Sequence, residues 1–360
     1  MRNKTVYIPQ RHKERKDFFV NFVSLWDIFI KYGVFCFFIS FPLLLFSQEK
    51  FRIISYNVEN LYDYENDPLT DDDAFTENGA NQWTPAKYKK KLNNIAKAIT
   101  AAGEWETPAL IGLCEIENQR VVTDLLQKTQ LRDNGYKFLH QDSPDLRGVD
   151  VALIYLPDKF KVIGEKYLRV VLKDRPTRDI LFASGIVPSG DTLHVFVNHW
   201  PSRYGGELES EENRIVAAET LRRVVDSLFQ ISMRSKIVIM GDFNDYPSNI
   251  SLTEKLEAIR EWETERDGKL YNLCAQFENK MGVGSHKFGG EWGMLDQFIV
   301  SGALLDKNVP FHTSKEYVHI CKAPFLLKKD KTGEAPKRSF LGTFFVNGFS
   351  DHLPIYLDIK

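Results

Sequence analysis

Apolar runs that break off at a polar residue recur along the chain. "FRIISYN" (51–57), "ALIGLCE" (109–115), "VDVALIY" (149–155), "ILFASGIV" (180–187), "LHVFVNH" (193–199), "KIVIMGD" (236–242) and "DQFIVS" (296–301) are short and rich in β-prone residues. Such runs predict strands. In "KIVIMGD" the positions from Ile237 to Gly241 do not alternate with polar ones, which marks a strand buried on both faces. Between the strands the period changes. Thr84 reads as an N-cap and Pro85 as the first helical residue, and Tyr88, Leu92, Ile95, Ala96 and Ile99 then fall on one helical face. "VVTDLLQKT" (121–129) and "EENRIVAAETLRRVVDSLFQ" (211–230) predict two further helices, the latter with an acidic start that suits its dipole.

Strand, helix, strand, helix opens the fold and favours an α/β layered arrangement. Strands then follow one another without helices, and the turn "PSGD" (188–191) predicts antiparallel pairing. This many strands exceed a comfortable single sheet. The expectation is two facing mixed β-sheets flanked by helices, in one domain over residues 48–360. Residues 63–83 read as a solvated acidic loop, with Asp71, Asp72 and Asp73 as solvated carboxylates rather than a Ca²⁺ site. "KYKKK" (87–91) reads as the solvated face of its helix, and residues 322–340 as a flexible insertion.

Residues 1–47 read as an extension outside this fold. Val34 to Phe46 carries no charge, follows Lys31, and is short of the roughly 20 apolar residues a span needs. Ser47 is a small residue suited to signal-peptide cleavage. The alternative, a membrane anchor over 17–46, must bury Asp27 and Lys31, which is costly at bilayer depth. An exported domain (periplasmic or extracellular) is expected, touching a membrane only through an uncleaved N-terminal segment. The extension holds seven Lys and Arg against three Asp and Glu, so residues 48–360 carry 40 basic and 46 acidic residues, a net charge of −6. No global basic field is present to collect nucleic acid. Cys114, Cys274 and Cys321 at wide spacings form neither a disulfide framework nor a zinc pattern and read as buried thiols.

Candidate chemistry lies in the polar ends of the strands. Asn57, Glu115, Asn198, His199, Asp242 and Asn244 follow strands, while Asp296, Asp351 and His352 precede them. Any one of these is an ordinary turn or capping residue. Asp245, Glu117 and Asn118 keep that reading. The set is harder to explain as turns alone, and on one rim it would gather carboxylates, amides and two histidines. Oxygen donors of this kind suit a hard cation, Mg²⁺, with Mn²⁺ or Ca²⁺ as alternatives. A histidine beside it can stabilise phosphate charge or move a proton. The chain has no nucleophile elbow and no P-loop. Metal-assisted hydrolysis of a phosphoester is the simplest chemistry for the set.

The ordered motifs "SYNVEN", "LCEIEN", "RGVDVALIY", "VNHWPSR", "GDFND", "MLDQFIVS" and "SDHLPI" resemble those of the endonuclease/exonuclease/phosphatase superfamily, over residues 51–359. The resemblance implies a four-layer sandwich. It implies Asn57, Glu115 and Asp351 as the metal site. Asp242 would position or deprotonate the attacking water, and Asn244 would hold a phosphate oxygen. His352 would contact phosphate, oriented by Asp296, and His199 would be the second histidine, partnered by Asp150. Arg147, Arg178, Asn198, Ser202 and Arg203 would contact the substrate phosphate. "HWPSRYGG" is most similar to secreted bacterial members. The implied activity is a nuclease on DNA or RNA; the alternative is a phosphatase or phosphodiesterase on a small or lipid phosphate, and a non-catalytic binding module is a third reading. No obligate protein partner is evident.

Overall fold

The structure, a computed structural model, describes residues 50–360; the reading of residues 1–47 lies outside the described residues. The first half of the chain forms β1 (Phe51–Leu61), α1 (Pro85–Gly103), β2 (Leu110–Ile116), α2 (Gln119–Gln127), β3 (Lys137–His140), β4 (Asp150–Tyr155) and β5 (Lys161–Leu168). It continues through β6 (Ile180–Ile186), β7 (Thr192–His199), α3 (Glu211–Ile231), β8 (Lys236–Asp242), β9 (Ala258–Ile259) and β10 (Leu270–Asn272). Then follow β11 (His286–Phe288), β12 (Glu291–Gly293), β13 (Asp296–Ser301), β14 (Val318–Ile320), β15 (Leu327–Asp330) and β16 (Gly333–Pro336). The chain closes with β17 (Phe340–Leu341), β18 (Phe344–Phe345) and β19 (Ile355–Ile359).

Two sheets result. One runs β14-β19-β1-β2-β4-β3, the other β5-β6-β7-β8-β13-β10-β9. β1–β2 and β7–β8 pair in parallel, while β2–β4, β6–β7 and β8–β13 are antiparallel, so both sheets are mixed. Successive strand residues serve opposite faces. Ile53 joins Val195, Val197, Met240 and Phe298 in the core between the sheets, whereas its neighbour Ile54 packs outward with Leu92, Ile95 and Ile99 of α1. On the far side Ile237 and Ile239 meet Ala217, Leu221 and Val225 of α3. The layers are therefore helix, sheet, sheet, helix, as the strand pattern predicts. The Thr84 hydroxyl accepts from Lys87 N, as an N-cap should. Cys114, Cys274 and Cys321 are free and buried.

Three local expectations are corrected. Lys91 is not solvated: it is fully buried and donates to Val58 O, Phe349 O and Ser339 Oγ. Residues 322–340 are not a loose insertion. They carry the β15–β16 hairpin and end in Phe340, which packs against Trp83 and Phe75. Within 63–83, Asp72 is buried and accepts from Asp67 N, Phe75 stacks on Tyr62, and Trp83 Nε1 donates to Tyr62 O. Aromatic packing orders this acidic stretch.

Candidate active site

Register brings the polar strand ends together. His199, Asp242 and Asp296 lie side by side on β7, β8 and β13. Gly241 makes this approach feasible. Its φ is +136°, and a Cβ there would sit 1.9 Å from Asn198 O. From the other sheet, Asn57 Nδ2 donates to Asp242 Oδ2 at 3.0 Å and to Glu115 Oε1 at 3.3 Å. Its Oδ1 accepts from Glu59 N. Asn57 thus turns a donor toward the site and bridges two carboxylates, where the resemblance implied a metal-site residue. Asp242 Oδ1 accepts from Asn244 N at 2.9 Å, which fixes the carboxylate from a second side.

The two histidines carry opposite charge tendencies. His352 Nδ1 donates to Asp296 Oδ2 at 2.6 Å, and its Nε2 stands 3.8 Å from Asp242 Oδ2. Burial opposes its protonation, but the Asp296 and Asp242 carboxylates together hold its pKa well above the ordinary value. His199 lies as close to Asp242, at 3.8 Å, and 3.9 Å from Glu115 Oε1. There burial dominates, the Arg178 and Arg147 cations add to it, and the imidazole stays neutral. Its Nε2 takes a hydrogen bond from Arg178 Nη2 at 3.1 Å. Burial, countered by His352, pushes the Asp242 carboxyl up to about 6.

Several residues expected at the phosphate serve the scaffold instead. Arg178 is buried and spends its donors on His199 O, Trp200 O, Asp145 Oδ2 and the His199 ring. Asn198 is fully buried, donating to Met240 O and accepting from Trp200 Nε1. Arg203 bonds Asn244 O, Asp245, Asn249 and Glu207, and so clamps the loop after β8. Asn244 gives one amide hydrogen to Trp200 O. Ser202 is half-buried in the loop after β7. Asp150 does not partner His199: its carboxylate accepts from the Ser143 backbone N and hydroxyl. Asp245 is no simple cap but a buried acid paired with Arg214 at 2.7 Å. Glu117 is buried too, accepting from Asp63 N, and burial raises its carboxyl to about 8.

Arg147 and Arg338 supply the open cations. Arg147 Nη2 reaches Asn60 Oδ1 at 2.7 Å and lies 3.7 Å from Glu115 Oε2, with 46% of its side chain exposed. Arg338 bridges Glu59 and Asp351 and is 45% exposed. Nothing in the strand pattern marks Arg338, because it lies in the tract that looked flexible. Nor does any local pattern mark Glu59: it is buried beneath Arg338, accepts from Ser339 N, and is pushed up to about 7 by burial and by Asp351.

The donors fit a hard divalent cation. Glu115 and Asp351 leave carboxylate surface open, 15% and 26% of their side chains. The fields of Glu59, Asp351 and Glu115 all reach Lys91, so three acids share this end of the fold with a buried ammonium. His286 and His352 flank Asp351, with ligand atoms within 4.8 Å of one another, but His352 is committed to Asp296 as an imidazolium and is no ligand. Glu115 and Asp351 are the residues that would hold the ion.

A carboxylate–histidine line and a group of acids thus meet where the ends of the two sheets come together. The chain belongs to the Endonuclease/Exonuclease/phosphatase family, whose sequence model matches residues 52–360. No curated protein matches the sequence. Among solved structures, D. rerio TDP2 complexed with a single-strand DNA product aligns with 86% of this chain and 99% of its own, at 15% identity and a TM-score of 0.52. The Bacteroides thetaiotaomicron VPI-5482 mannosyl-6-phosphatase gives the same coverage, identity and TM-score. An endonuclease/exonuclease/phosphatase family protein from Bacteroides thetaiotaomicron aligns with 86% of this chain and 94% of its own, at 16% identity and a TM-score of 0.51. At these identities the likeness is one of fold.

Proposed function

We propose that the chain is an exported, Mg²⁺-dependent phosphodiesterase acting on nucleic acid. The observation that carries this reading is the line Asp296–His352–Asp242, in which one carboxylate orients the imidazole and the other waits beside it. Asp242 takes the proton of the attacking water as the water oxygen bonds to phosphorus, the bond from phosphorus to the ester oxygen breaks, and the leaving oxygen takes its proton from solvent. Asn57 Nδ2 and Asn244 N hold that carboxylate in place. The His352 imidazolium faces the phosphate oxygens, where charge accumulates in the transition state. Arg147 and Arg338 offer open guanidinium donors on the same rim. A bound divalent ion, Mg²⁺ or in its place Mn²⁺ or Ca²⁺, supplies charge neutralisation at the phosphate. Residues 1–47 support export, through Val34–Phe46 and Ser47.

Support for a polymeric substrate comes from the β17–β18 hairpin, which begins two residues beyond Arg338. Phe344 and Leu341 on it are 75% and 50% exposed, an apolar surface suited to an unstacked base. The solved D. rerio TDP2 structure with its DNA product shares the fold. A second reading, a phosphatase on a small phosphate, is favoured by the net charge of −6 over residues 48–360. The mannosyl-6-phosphatase of the same fold sits with that reading. Purified protein with Mg²⁺ should be given single-stranded DNA, RNA, bis-p-nitrophenyl phosphate, p-nitrophenyl phosphate, sugar and inositol phosphates, and sphingomyelin. Cleavage of the polymers and the diester is expected. Turnover confined to monoesters would replace the first reading by the second.

A further inference from the structure

The loop between β3 and β4 carries a second cluster. His140 ends β3, Asp142 and Ser143 follow, and Asp150 begins β4. One ligand atom from each of His140, Asp142 and Asp150 lies within 4.8 Å of the other two, and His140 Nε2 is 3.6 Å from Asp142 Oδ1. Bonds of about 2.1 Å to a shared ion would need ligands roughly 3–4 Å apart, so little movement would close this set.

The His140 side chain is only 1% exposed, yet neither ring nitrogen has a hydrogen-bond partner among the described residues. Buried polar atoms left this way are rare in folded proteins and call for an occupant. Asp150 is buried as well, and among the described residues no cation pairs with it. Its neighbour Asp145 is already spent on Arg178. Ser143 donates to Asp150 through its backbone N and hydroxyl, the kind of support that orients a ligating carboxylate.

We propose that His140, Asp142 and Asp150 form a binding site for a divalent transition-metal ion, distinct from the phosphoester site. One imidazole with two carboxylates suits Zn²⁺ or Mn²⁺ better than an all-oxygen ion such as Mg²⁺. The ion would staple both ends of the segment 141–149. That segment carries Arg147, which reaches Asn60 and Glu115, and Asp145, which holds Arg178 against His199. Its role is therefore structural support of the loop that borders the active site.

The test is metal binding, with no turnover involved. Full-length protein free of any histidine tag is stripped with chelator and dialysed against Zn²⁺ alone, and bound metal is counted per chain. Asp142→Asn and His140→Gln are measured beside it. Asp142 is 80% exposed, so its variant keeps the fold. Each variant should bind one zinc fewer than the wild type, or bind it at least about tenfold more weakly. Zinc should slow amide exchange across 141–149 in the wild type and leave it unchanged in Asp142→Asn. Equal zinc content in wild type and Asp142→Asn, or zinc without effect on exchange in that segment, would overturn the site. The result stands apart from whether the protein cleaves phosphodiesters.

Discussion

Asp242 and His352 divide the charges of the site between them. Asp242 is buried among Asn57, Asn244 and two imidazoles, and burial pushes its carboxyl up to about 6. Its folded pKa exceeds the unfolded one, so its ionisation costs stability as pH rises from about 4 through 6, while the proposed mechanism needs the ionised form. The activity profile should therefore fall on the acid side near pH 6. In His352 the pKa is raised as well, so the slope has the same sign, but here the fold favours the charged form. Its raised pKa contributes stability that is present below about 6.5 and is lost as pH rises through the folded value. Asp296→Asn removes the carboxylate bonded to Nδ1. The alkaline limb of kcat should then move to lower pH, which a pH–rate profile measures directly; an unmoved limb would disconnect His352 from that limb. Asp242→Asn and His352→Ala should each lower kcat by about 10²–10⁴. Circular dichroism and the melting temperature should show both variants folded. Near-full activity in either would relocate the site.

The helices and sheets were legible because their signals are local. In α1 the Thr84–Pro85 start and the apolar stripe are written within nineteen residues. The polar strand ends were legible as a set for the same reason, since each closes an apolar run. Lys91 shows where composition misled. It falls three residues after Tyr88 and four before Ile95, on the buried stripe, yet the run of lysines around it suggested solvent. Arg178, Arg203 and Asn198 failed differently. A side chain's type does not tell which carbonyls will face it, and theirs come from strands and loops distant in sequence. Arg338 and Glu59 meet across some 280 positions, beyond any local pattern. The buried Lys91 links these parts, because it holds Val58 O and Phe349 O and its field acts on Glu59. Lys91→Met should destabilise the fold by roughly 3–5 kcal/mol, since it strands acceptors and a buried acid together. Urea unfolding measures this. A loss below about 1 kcal/mol would show that Glu59 simply protonates when the ammonium is gone.

Two sheets contribute to one rim, so the site exists only while they are packed. Asn57 and Glu115 come from the first, His199, Asp242 and Asp296 from the second, and His352 from the loop that leads into β19. Residues 48–360 carry a net charge of −6, and under the proposed function that charge sets how a nucleic acid would be held. Of the arginines around the site, Arg178 and Arg203 are consumed internally, leaving Arg147 and Arg338 with about half their side chains exposed. Two phosphate contacts on a single strand release few counterions. The slope of log Kobs against log salt should be about −1.4, so affinity falls only roughly sevenfold between about 50 and 200 mM salt. The measurement uses single-stranded DNA and Asp242→Asn, whose slow turnover keeps the strand intact. Arg338→Ala should then flatten the slope by about half. A slope steeper than about −4 would mean that a basic track beyond these two arginines engages the strand. No measurable binding at low salt would instead point to a small phosphate, which needs a guanidinium or two and no track at all.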